Sequence, residues 1–125
     1  MRHRDMILAA ATLSLIAAPA AARMPATLFL RKADSLRARG AFALFSPDLK
    51  KLQAEAEAAG DELHAEHAAR LAAHEPTDWC APAAKYLTPR ELIVGMHALP
   101  RAELERFDIK QAMRAIFERN YPCPR

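Results

Sequence analysis

Apolar residues recur at spacings of three and four through most of this chain, the period of a helix with one buried face. From Pro25 to Arg39 the stripe is Ala26, Phe29, Ala33 and Leu36. Pro25 suits a first turn and Gly40 suits the position just past a helix end. The five apolar residues Ala41 to Phe45 that follow predict a connector packed under the helices. A second helix opens at Ser46-Pro47-Asp48. The serine can cap, the proline has its φ preset, and the aspartate complements the helix dipole. Its stripe is Leu49, Leu52, Ala56, Ala59, Leu63, His67, Leu71 and His74, which carries the helix to about His74, before Pro76. Gly60-Asp61 lies within it, and the pattern leaves open whether the helix bends there.

Residues Glu75 to Leu87 form a loop rich in proline and small residues. Thr88-Pro89-Arg90-Glu91 then reads as a capping box with proline in the first turn, and Pro100 ends the helix it starts. A short helical turn follows from Arg101 to Arg106. The last helix opens at Asp108 with Gln111 three residues on, and buries Ile109, Ala112, Met113, Ile116 and Phe117. Pro122 and Pro124 stop it. There is no strand alternation and no repeat. The expected fold is all-α: a small bundle or orthogonal packing of four to five helices with one disulfide.

The N-terminus changes where this domain is placed. Arg2 and Arg4 precede an uncharged, mostly apolar run from Met6 to Ala18, and Ala20-Ala21-Ala22 offers small residues to a peptidase. This reads as a signal peptide over 1–22, too short to span a bilayer, which takes about 20 residues. The rest, 23–125, is expected to be a single helical domain in the periplasm, with no membrane contact after cleavage. The formal charge of +3 at pH 7 is spread in mixed signs with little aromatic interleaving. That disfavours nucleic acid as a partner.

An exported chain with two cysteines, Cys80 and Cys123, points to a disulfide. The loop it would close holds the last two helices and adds about 4 kcal/mol in the chain-entropy model. The spacing lacks the close pair that thiol redox chemistry uses. His64, His67 and His74 lie one and two turns apart on the second helix. His67 and His74 fall on the alanine-leucine stripe, so the histidines read as core or interface residues with a hydrogen-bond partner; the alternative is that the three are metal ligands. The acid pairs Glu55/Glu57, Asp61/Glu62 and Glu103/Glu105 read as solvated surface. No catalytic residue is assigned: the chain lacks a nucleophile elbow, a phosphate-binding glycine loop and a metalloprotease motif. No cofactor is implied. Trp79, Tyr86 and Tyr121 cluster near the cysteines as core filling or interface anchors.

The C-terminal half, from Trp79 to Cys123, resembles the Rap/Tai-type immunity proteins of type VI secretion systems. The resemblance rests on Trp79-Cys80-Ala81-Pro82, Thr88 opening a helix, Leu92 and Val94 within it, Leu99-Pro100 at its end, Ala112 in the last helix, and Tyr121-Pro122-Cys123. It does not extend to the N-terminal half, where the family's glycine-aromatic-glycine segment is missing. It implies a helical scaffold with Cys80, Pro82, Pro122 and Cys123 as its frame. It also implies a protein partner, a peptidoglycan amidase effector that the chain would block, and possible homodimerisation. The alternatives are a periplasmic metal-binding helical protein and a small stress chaperone.

Overall fold

The computed structural model describes residues 23–82 and 84–125, so the signal peptide read over 1–22 lies outside the described residues. Five α-helices follow in order: α1 Ala26–Arg39, α2 Pro47–Ala72, α3 Pro89–Ala98, α4 Arg101–Arg106 and α5 Ile109–Asn120. A 3₁₀ elbow, Gly40–Phe45, joins α1 to α2. The fold is all-α, with no strand among the described residues and one disulfide, Cys80–Cys123.

The helix boundaries follow from local chemistry. Ser46 accepts from the Asp48 N–H at the start of α2. Thr88 and Glu91 complete one capping box and Asp108 and Gln111 another, each satisfying two otherwise orphaned N–H groups. At the far end of α3 the Arg119 guanidinium donates to the Ala98 carbonyl at 2.7 Å. Gly60 does not interrupt α2, which is continuous over 26 residues, about 39 Å.

The core forms where α1, α3 and α5 meet the first two thirds of α2. Phe117, Leu63, Met96, Ile109 and Ile116 are its most enclosed large side chains. All five residues read as the buried face of α5 are buried. The entry to α1 is clipped onto the entry to α5: Ala26 N–H donates to the Phe107 carbonyl, and Ile109 N–H to the Met24 carbonyl, both at 2.9 Å. Gly95 lets α3 approach α5, because a Cβ there would lie 2.8 Å from the Ile116 side chain.

Two expectations are corrected. Ala41 to Phe45 is not packed under the helices. Only Ala43 is buried, while Phe42, Leu44 and Phe45 stand in solvent. The tight 3₁₀ turn gives the segment a single inward position. The α2 stripe also fails at its end. Leu71 is exposed, and the helix stops at Ala72 with His74 at φ 56°. α2 is more than twice the length of the 12-residue α5 that packs on it, so its last turns overhang the core.

Candidate functional site

The two cysteines lie at opposite ends of the segment that carries α3, α4 and α5, and their bond draws those ends together. The Cys80 N–H also donates to the Tyr121 carbonyl at 2.8 Å. This clip places Trp79 under the corner, almost wholly buried. Its ring stacks on Phe117 at 4.4 Å between centroids and on His67 at 3.6 Å. Tyr121 also approaches Phe117, its ring tilted at 5.9 Å between centroids. Pro82 and Pro122 are exposed on the rim of the corner.

The histidines separate into two kinds. His64 and His67 belong to the aromatic cluster: His64 meets Trp79 and Phe117 edge-on and lies 4.1 Å from the Tyr86 ring. Burial pushes both imidazoles below the ordinary histidine range. The neighbouring His67 lowers His64 further, against the pull of Asp61, and Arg70 lowers His67 further. His74 is exposed, beyond the end of α2. Among the described residues no group of three His, Cys, Asp or Glu side chains is gathered closely enough to hold a metal ion.

Beside this corner runs an almost wholly apolar groove of about 470 Å³. Its volume falls within the usual range for ligand and anchor sites. α1 contributes Phe29 and Leu36, α2 Leu52 and Ala56, and α3 Leu92 and Ile93, with Met113 and Phe117 of α5 between them. Tyr86 forms one lip. Its ring lies over Gly60, its hydroxyl donates to Asp61 at 3.2 Å, and about half of it is exposed. His64 joins the two features, because it lines the groove and touches Trp79. The exposed Arg37, Gln53 and Glu57 supply polar margin.

On the opposite face of α2 a charge lattice ties it to α5 and to the start of the domain. Glu62 accepts from Lys110 and Arg23, and those bonds hold its carboxyl below the usual range. Glu66 pairs with Lys110 and Arg114. The matching signal stands in the sequence: acids four apart at 62 and 66, bases four apart at 110 and 114. The groove had no such signal, because its walls come from four separate helices.

No protein-family model, curated protein or solved structure matches this chain. No helix among the described residues is long and apolar enough to cross a membrane. The disulfide is compatible with an oxidising compartment.

Proposed function

We propose that this chain is an exported, periplasmic binding protein that blocks a peptidoglycan-degrading effector, an immunity protein of the Rap/Tai kind. One observation carries the reading. Trp79, Cys80 and Pro82 and the distant Tyr121, Pro122 and Cys123, which carry the family resemblance, converge in a single disulfide-clipped corner. That corner borders an open apolar groove with an aromatic lip. Inhibition by binding needs an exposed apolar anchor site with a rigid wall; Tyr86 and His64 line such a site, and the buried Trp79 packs behind His64. It needs no catalytic group of its own.

The test uses the chain from Arg23 to Arg125, which contains every core side chain found buried among the described residues, and both cysteines. Amidase effectors of type VI systems are assayed on purified peptidoglycan with and without this oxidised chain. The reading expects inhibition at equimolar protein, weakened at least tenfold by Tyr86→Ala, as for an aromatic interface anchor. Full hydrolysis by all such effectors at excess chain contradicts it.

A further inference from the structure

The elbow between α1 and α2 presents the most exposed large apolar side chains among the described residues. Phe42 is 82% exposed, Leu44 72% and Phe45 87%. The segment is held at both ends. Gly40 turns the chain at φ 60°, and Ser46 begins α2 as its cap. The three side chains therefore stand out on a short, fixed tip.

Bases flank that tip along the chain. Arg37 and Arg39 close α1, Lys50 and Lys51 lie in the opening turns of α2, and all four are exposed. Among the described residues none of the four has an ion-pair partner. Asp48, the only acid in the stretch, is held by Lys32 at 3.3 Å. The elbow thus joins an apolar point to a collar of unneutralised positive charge.

We propose that this elbow is a membrane-contact site. Phe42, Leu44 and Phe45 enter the interfacial layer of an anionic bilayer, and Arg37, Arg39, Lys50 and Lys51 engage its headgroups. Charge and shape select this occupant. A second copy of the chain would set one basic collar against another. A protein partner of standard size hides about 800 Å² per side, and two phenylalanines of about 150–250 Å² each with one leucine fall short of that. A bilayer accepts a convex apolar tip without a matching hollow, and adds attraction for each base near its surface. The inference departs from the sequence reading, which placed no membrane contact beyond the N-terminal segment. It does not rest on the immunity proposal: Arg37 also stands at the groove's margin, but Phe42, Leu44, Phe45, Lys50 and Lys51 do not line the groove, and neither test uses the other's readout.

The experiment is co-flotation of the oxidised Arg23–Arg125 chain with two kinds of vesicle. One is phosphatidylcholine alone; the other is equal parts phosphatidylcholine and phosphatidylglycerol. The chain is expected to float with the anionic vesicles, not the neutral ones, and to be released as salt shortens the screening length. Lys50→Gln with Lys51→Gln is expected to weaken partition about 30-fold. Replacing Phe42, Leu44 and Phe45 by serine is expected to abolish flotation while leaving the thermal midpoint in place, because those side chains support no core. Absence of flotation with anionic vesicles overturns the proposal, and so does equal flotation of the serine variant. Without vesicle binding, elbow-dependent dimerisation on gel filtration assigns the tip to a second copy instead, and elbow-dependent capture of an effector assigns it to a protein.

Discussion

Two glycines inside helices have opposite meanings. Gly60 faces Tyr86 with room for a methyl group: a Cβ there would rest 3.8 Å from the ring. Gly60→Ala is expected to stabilise the protein by up to about 1 kcal/mol through helix propensity. Gly95 has no such room, since its Cβ would press on the β-branched, fully enclosed Ile116. Gly95→Ala is expected to destabilise by about 1–3 kcal/mol despite the same propensity gain, and Ile116→Val beside it to recover part of the loss. Urea unfolding of the three variants against the parent checks the signs. The histidines of the aromatic cluster carry a pH dependence. Burial holds His64 and His67 below the histidine range, so the unfolded chain binds their protons first as pH falls. Their contribution is complete above about pH 6.5 and is lost as pH drops from there through their lowered folded values. The thermal midpoint is expected to fall between about pH 7.5 and 5, with a shallower slope in His67→Phe, which keeps a flat ring on Trp79. A flat profile in both proteins contradicts this assignment.

Elements were legible where their signals are local. The capping boxes at Thr88 and Asp108, and the proline-flanked ends of α3 and α4, set boundaries from a few adjacent residues. The buried face of α5 followed from periodicity because the whole helix lies against the core. Asp108 does double service, since its side chain caps α5 beside the backbone clip to α1. Asp108→Ala is expected to cost about 1–2 kcal/mol by denaturant titration. Other features were not legible, for stated reasons. Ala41 to Phe45 is continuously apolar, so it has no period to say which side chain turns inward, and a 3₁₀ turn buried only Ala43. Leu71 and His74 continue the α2 stripe beyond its packing partners. Periodicity records which residues share a face, not whether a neighbour reaches that far. Spacing left His64 and His67 open between core packing and metal ligation and did not name their neighbours; the rings that engage them, Trp79, Tyr86 and Phe117, come from distant parts of the chain. The groove depends on four helices meeting, a property of their arrangement rather than of any segment.

At the scale of the whole molecule the disulfide is the organising restraint. It closes a loop with a sequence separation of 43 residues that contains α3, α4 and α5. Replacing both cysteines by alanine is expected to cost about 4 kcal/mol, a large share of the 5–15 kcal/mol typical of a small domain. Chemical denaturation with and without reductant measures it, and equal stability of the two forms contradicts the account. The charge lattice fastens α2 to α5 beside that corner, where Glu66 and Arg114 line the same small cavity as Trp79. A rigid corner beside an open apolar groove suits a protein that acts by occupying another molecule. The most direct test of that claim is affinity capture with the oxidised, tagged Arg23–Arg125 chain from periplasmic extract and culture supernatant, read by mass spectrometry and followed by an activity assay on what is retained. The account predicts one stoichiometric peptidoglycan hydrolase whose amidase activity is abolished in the complex and restored on its release. A bait that retains no wall hydrolase, or only a mixture of unfolded proteins, contradicts it.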